Sequence, residues 1–194
     1  MKNNDIENLF DRLAPKWDEA EILDDETILA LLKRIGIQKG DRVLDIGCGT
    51  GRITGLLHSL SQEKVVGIDL SSKMIEIAKE KYQSCSWAEF RHEDFLSSQP
   101  EEYDVLVLYN AYPHFLDENK LNQAFLSHLK KGGRFAIIHS LSRKSLENIH
   151  HGMNESVTRH LLSPVEEAVH FEKDFRILYA EENDCSYLII GSKW

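Results

Sequence analysis

Val43-Leu44-Asp45-Ile46-Gly47-Cys48-Gly49-Thr50-Gly51 decides how the rest of the chain is read. Val43, Leu44 and Ile46 form a short apolar run of the kind that fills a buried parallel strand, and three glycines follow at alternate positions. Thr50 is placed to cap a helix with Ile53, Leu56, Leu57 and Leu60 on its apolar face. The stretch therefore reads as strand, glycine turn and helix. Glycine allows a sharp turn and the close approach of a ligand, because no Cβ stands in the way. The helix amino terminus behind it favours polar or anionic groups. A dinucleotide fingerprint, G-x-G-x-x-G, would place its third glycine at position 52, which is Arg52; the observed G-x-G-x-G argues against NAD. Eighteen residues beyond Gly51, the run Val65-Val66-Gly67-Ile68 ends in Asp69, where a carboxylate can accept both hydroxyls of a ribose. Two acids, Asp45 and Asp69, thus end two neighbouring strands.

With these residues in view, the stretch resembles the glycine-rich motif of class I S-adenosylmethionine-dependent methyltransferases. Phe10 to Asp18, F-D-R-L-A-P-K-W-D, resembles the opening of small-molecule members related to the quinone-biosynthesis C-methyltransferases. The resemblance implies S-adenosylmethionine as cofactor, with Gly47, Gly49 and Gly51 near its methionine part, Asp45 holding its ammonium directly or through water, and Asp69 binding its ribose. It implies that Asp94, after a third strand near Trp87 to Arg91, accepts from the adenine amino group; the alternative is a carboxylate that caps a short helix. Cys48, Leu70, Met74, Phe95, Asn110 and Ala111 complete the implied cofactor set, with Cys48 also readable as a small filler. The implied fold is α/β: a Rossmann-like, seven-stranded, mostly parallel sheet with helices on both faces and an antiparallel C-terminal hairpin. One methyltransferase domain spans 1–194, with a helical lid or cap at 1–36, a cofactor-binding core at 41–140, and C-terminal helices and hairpin at 141–194.

The 194 residues, 42% hydrophobic, suit one domain with a sizeable core. The formal charge of −9 disfavours a nucleic-acid backbone as main partner. No run of about 18 apolar residues offers a membrane span, and the polar, acidic Met1 to Asp11 differs from a signal peptide, so the expected location is cytoplasmic. Three widely separated cysteines indicate neither a disulfide framework nor a zinc site.

Residues 1–30 carry six of the nine excess negative charges. Ile6, Leu9, Phe10 and Leu13 repeat at helical spacing before Pro15 and Trp17, and the segment is expected to close over the cofactor or to pack on the sheet edge. A second helix carries Ile28, Leu31, Leu32 and Ile35, with Gly36 as its stop. Ser71 or Ser72 caps a helix bearing Met74, Ile75, Ala78 and Tyr82. A fourth strand, Tyr103 to Leu108, delivers Tyr109 to Phe115 to the ligand-binding end of an open α/β sheet. That loop lacks the Asn/Asp-Pro-Pro-aromatic stretch of amino-methylating nucleic-acid enzymes, which again favours a small-molecule acceptor. A helix through Leu121, Phe125 and Leu129 stops at Lys130-Lys131-Gly132-Gly133, and Arg134 to Ile138 forms a fifth strand. Ser140 to Met153 and Ser163 to Phe171 read as helices, and Phe175 to Ala180 with Ser186 to Gly191 as the hairpin.

If the acceptor must lose a proton, an imidazole can take it near neutral pH. His114, just after the fourth strand, is the first candidate and His139, ending the fifth, the second; either is equally readable as a structural histidine. Tyr112 reads as a wall of the acceptor pocket, with Phe10 and Trp17 supplied by the lid. Glu147, His150 and His151 fall on about one helical turn, but adjacent histidines diverge by about 100°, and no metal site is assigned. The expected activity is methyl transfer to a small molecule; the alternative is a non-catalytic S-adenosylmethionine-binding sensor or partner domain.

Overall fold

The computed structural model describes residues 2–20, 23–150 and 154–194. A seven-stranded sheet runs through it in the order β3-β2-β1-β4-β5-β7-β6. Its strands are β1 (Val43–Ile46), β2 (Val65–Asp69), β3 (Ala88–His92), β4 (Tyr103–Tyr109), β5 (Leu129–His139), β6 (Phe175–Asn183) and β7 (Ser186–Lys193). The first five are parallel, and β7 inserts antiparallel between β5 and β6. This is the expected Rossmann-like sheet with its terminal hairpin, whose strands reach further into the connecting turn than the apolar runs alone indicate.

Alternation along the strands separates two cores. Leu44, Ile46, Val66, Ile68, Leu106, Leu108, Phe135 and Ile137 face one side, covered by α5 (Glu118–His128) and α7 (Pro164–Ala168). Val43, Val65, Val105, Val107, Ala136 and Ile138 face the other, where α2 (Asp25–Lys33) and α3 (Thr54–Ser61) bury Ile28, Leu32 and Leu57. α4 (Ser72–Lys81) lies against β2 and β3 and packs Ile75 and Ala78 on Phe90. Before the sheet come α1 (Lys2–Leu13) and a 3-10 helix, Ala14–Ala20, so Pro15 changes the helix type rather than ending it. No helix among the described residues is long and apolar enough to cross a membrane.

Three local expectations change. Thr50 does not cap α3, which starts at Thr54 after an Ile53 that makes no side-chain cap; the Thr50 hydroxyl donates instead to Asp18. Leu129 belongs to β5 rather than α5: its backbone is extended and pairs with Tyr103, and Lys130 to Gly133, with Gly132 at φ 76°, bulge before Arg134 resumes pairing against Val105. The helix expected over Ser140 to Met153 is α6 (Arg143–His150); residues 151–153 and the His150 side chain, and with them the His150–His151 question, lie outside the described residues.

Candidate active site

A cavity of about 340 Å³ opens beyond the carboxyl ends of β1, β2, β4 and β5. That is the end of an open α/β sheet where strand order reverses and ligands bind. Its floor is the glycine turn. Gly47, Gly49 and Gly51 all have positive φ (65°, 55° and 79°), which a side chain resists. Gly47, Cys48 and Gly49 line the cavity. A Cβ on Gly47 would lie 2.8 Å from the Ala111 Cβ, and one on Gly49 would lie 3.3 Å from Trp17 Nε1. Gly51 is not on the wall: a Cβ there would meet Tyr82 and Phe90 at 2.9 and 3.1 Å, so this glycine serves packing rather than ligand approach.

Asp69 is held at both oxygens. Gly49 N donates to one at 2.8 Å and Ser71 N to the other at 2.7 Å, so the carboxylate at the end of β2 is fixed against the turn it faces. Burial raises its pKa, and the two backbone donors pull it back. Leu70 and Met74 follow it on the wall, Met74 placed by the Ser71 cap of α4. Asp45 differs from expectation. It is 1% exposed, does not line the cavity, and accepts from the Thr54 hydroxyl at 3.0 Å beneath the glycine turn. Burial, with Asp69 adding repulsion, pushes its carboxyl up to about 7. Strand alternation explains the position: Asp45 falls between Leu44 and Ile46 and points away from the face they share.

After β3, Asp94 and Phe95 reach the cavity together with Glu93 and Leu96. Asp94 also accepts from Leu96 N at 3.0 Å and from the Ser97 hydroxyl at 3.2 Å, so the cap reading and the wall position coexist. After β4, Asn110 adopts φ 55°, a left-handed conformation its short amide tolerates. Its side chain exchanges hydrogen bonds with Ser140 (2.8 and 2.9 Å), tying the ends of β4 and β5 together beside Ala111.

A single 3-10 turn, Tyr112–His114, separates two residues expected to act together. His114 lines the cavity; its Nδ1 lies 2.7 Å from the Val157 carbonyl and its ring meets Phe10 edge-on at 4.8 Å. A carbonyl can only accept, so Nδ1 carries the hydrogen and Nε2 is the basic nitrogen of the neutral ring. Tyr112 is fully buried on the opposite side. Its hydroxyl donates to Glu167 at 2.7 Å and the Arg159 guanidinium lies over its ring, so it is a core residue and not a pocket wall. His139 is likewise off the cavity: fully buried, with its ring edge-on to Tyr187, while its neighbour Ser140 takes the wall.

The N-terminal segment closes one side with Ile6, Phe10, Trp17 and Asp18. The Ser71 hydroxyl and Lys73 N donate to Asp11 (2.5 and 3.1 Å), and Lys81 Nζ donates to Asp18 (2.7 Å). Arg52, Phe115, Leu141, Leu146 and Ile149 also line the cavity and were not singled out in the sequence. Leu146 and Ile149 are spaced three apart on α6, a pattern that marks an inward face without naming what it faces.

A family profile described as a methyltransferase domain matches residues 37–181. Among curated proteins, trans-aconitate 2-methyltransferase of Azoarcus sp. (strain BH72) is 32% identical over 149 residues, covering 73% of this chain and 57% of that protein. The chain thus spans little more than half the length of this relative, and 40% and 46% of two others it matches. Among solved structures, the fold is shared with a putative methyltransferase complexed with the Haloferax volcanii Trm112 methyltransferase activator (TM-score 0.81, 17% identity, 97% of each chain). It is also shared with DhpI in complex with SAH (TM-score 0.77, 17% identity, 98% and 96%). The profile takes in three quarters of the sequence and every strand of the parallel sheet, and the chain belongs to the methyltransferase domain family, in its class I S-adenosylmethionine-dependent form.

Proposed function

We propose that the chain transfers a methyl group from S-adenosylmethionine to a small-molecule acceptor. The observation that carries this reading is one cavity with a doubly anchored Asp69 carboxylate on one wall and His114, its Nδ1 committed to a backbone carbonyl, on another. The cofactor suits the residues present: Asp69 offers acceptors for ribose hydroxyls, Leu70, Met74, Phe95 and Leu96 form an apolar slot for adenine, and Asp94 stands beside that slot for its amino group. Gly47 and Gly49 present bare backbone to the methionine part, and Asp45 acts from beneath, through the turn. When bound, S-adenosylmethionine supplies an electrophilic methyl on a sulfonium, the carbon–sulfur pair staying with sulfur as the methyl leaves.

The protein's own work is then positioning, proton removal and exclusion of water. His114 Nε2 accepts the acceptor's proton. Phe10 and Phe115 hold the acceptor, and α1 with the 3-10 helix Ala14–Ala20 acts as a lid whose Ile6 and Phe10 shut out solvent; α2, expected as part of that lid, instead buries Ile28 and Leu32 in the sheet core. The acidic net charge and the apolar walls support a small molecule over a nucleic acid. Calorimetry with S-adenosylhomocysteine, followed by incubation with isotope-labelled cofactor and a metabolite extract, tests the reading. A labelled low-mass product is expected. Binding without label transfer in any extract would leave a cofactor sensor instead.

A further inference from the structure

Resting on that methyl-transfer reading, we propose that the acceptor is an uncharged, ring-shaped apolar molecule bearing one protic group, and that carboxylate or phosphate acceptors are refused. The sheet order separates the two ends of the cavity: Asp69, Leu70 and Asp94 follow β2 and β3, whereas His114, Phe115 and Leu141 follow β4 and β5. At the β4–β5 end the lining side chains include Phe10, which meets the His114 ring, with Phe115, Leu141 and Leu146, and the titratable groups among them are His114 and the Tyr109 phenol. Asn110 and Ser140, which also line this end, are bonded to each other.

Among the described residues lining the cavity, Arg52 is the sole lysine or arginine. It follows the glycine turn at the cofactor end, where its guanidinium pairs with Asp25 at 2.6 Å and donates to the Leu23 carbonyl at 3.1 Å. Against this one paired cation stand four wall carboxylates, those of Asp18, Asp69, Glu93 and Asp94. An anionic acceptor would lose its hydration against hydrocarbon, gain no lysine or arginine partner from the protein wall and face a negative field from it. A neutral ring loses little on entering and buries its area against Phe10, Phe115 and Leu141. A phenol-like or thiol-like hydrogen then has His114 Nε2 as its acceptor.

The test compares two probes with one skeleton, 2-naphthol and 2-naphthoate, titrated calorimetrically at neutral pH into the wild-type protein saturated with S-adenosylhomocysteine. Naphthol should bind about tenfold or more tightly than naphthoate, the difference reflecting an unpaired buried charge. Leu141→Arg should weaken naphthol and strengthen naphthoate; Phe10→Lys, on an exposed helix, serves the same purpose if the first variant does not fold. Equal or tighter binding of naphthoate, or no binding of naphthol to the cofactor-product complex, overturns the inference while leaving the methyl-transfer reading intact. Failure of S-adenosylhomocysteine to bind removes both, and is read out first.

Discussion

The two ends of the cavity are built by different rules. At the cofactor end, apart from Trp17 and Asp18, the main features lie within a few residues of a strand terminus: a turn of positive-φ glycines after β1, a carboxylate fixed by two backbone N–H groups at the end of β2, an acid and a phenylalanine after β3. At the acceptor end, α1, the turn at 112–114 and α6 (Arg143–His150) come from three separate parts of the chain and meet only through packing. Backbone geometry constrains the first end residue by residue, so it tolerates little change. The second requires only that something apolar of suitable size fill each place, which leaves acceptor choice free to vary while the cofactor stays the same.

The sharpest test of this division is His114→Gln. A base acting only in proton removal should lower turnover by about 10² to 10⁴-fold while leaving S-adenosylhomocysteine affinity unchanged, checked by labelled-methyl kinetics beside calorimetry. Weaker cofactor binding with normal turnover at saturation would move His114 to the other end of the cavity.

Next in size is Arg159→Met. Arg159 donates to the Phe115 carbonyl at 3.2 Å and to both oxygens of Glu167 at 2.7 and 3.0 Å, and its backbone N bonds the Pro113 carbonyl, so it braces the turn that carries His114. Glu167 is fully buried. Stranding it should cost about 3 to 5 kcal/mol of unfolding free energy, measured by urea denaturation, with part regained in the double variant Arg159→Met/Glu167→Gln. A loss below 1 kcal/mol would show that the acceptor end does not depend on this buried charge cluster.

At the cofactor end, Asp69→Ala should weaken S-adenosylhomocysteine by about 1 to 3 kcal/mol, the usual worth of a charged acceptor, with little effect on the naphthol-to-naphthoate preference. A changed preference would mean that the two ends are coupled. Asp45 gives a smaller, pH-dependent signal. Its carboxyl lies near 7 in the folded chain against 3.8 for an ordinary aspartate, so the folded state keeps a proton that the unfolded chain has released. Its stabilising contribution is complete below pH 4 and is lost as pH rises through 7, with a slope of at most about 1.4 kcal/mol per pH unit. Asp45→Asn cannot titrate, and its unfolding free energy should fall less steeply than the wild type's between pH 5 and 7.

What could be read from sequence follows the same division. Gly47, Gly49 and Asp69 were legible because a turn, a close approach and a strand end each demand a residue type at a fixed spacing. Gly51 was legible as a glycine but for another reason, since its neighbours Tyr82 and Phe90 come from α4's end and β3. Asp45 was legible as a strand acid, whereas the face it points to depends on the strand's phase in the folded sheet. At the acceptor end the strand-end rule located the turn at 112–114, yet a 3-10 turn of three residues sends successive side chains in different directions, and nothing local says that Tyr112 turns to Glu167 and His114 to the cavity. The same ambiguity, with period two, placed His139 inside and Ser140 on the wall. Leu141 and Leu146 carry no special residue type at all; only the tertiary partner makes them part of a site.

One segment belongs to both ends. Phe10 covers the acceptor side against His114, while Trp17 and Asp18 reach the glycine turn. Its anchors are weak individually. The Asp18 carboxylate accepts from Thr50 and Lys81, and those two donors outweigh the burial that opposes them and lower its pKa; yet the Asp18 and Lys81 side chains remain 47% and 35% exposed. Ion pairs of that kind contribute about 0.2 to 1 kcal/mol, so Asp18→Asn should leave overall stability nearly unchanged. Its effect should appear locally, as faster amide exchange in residues 5–18 of the cofactor-free variant than of the wild type. Adding S-adenosylhomocysteine should slow that exchange in both proteins, because a ligand under Trp17 replaces contacts that the anchors alone supply poorly. A loss well above 1 kcal/mol, or exchange that ignores the ligand, would make residues 1–20 a fixed wall of the fold. The two ends would then share a permanent roof rather than a lid, and acceptor entry would have to pass α6 instead.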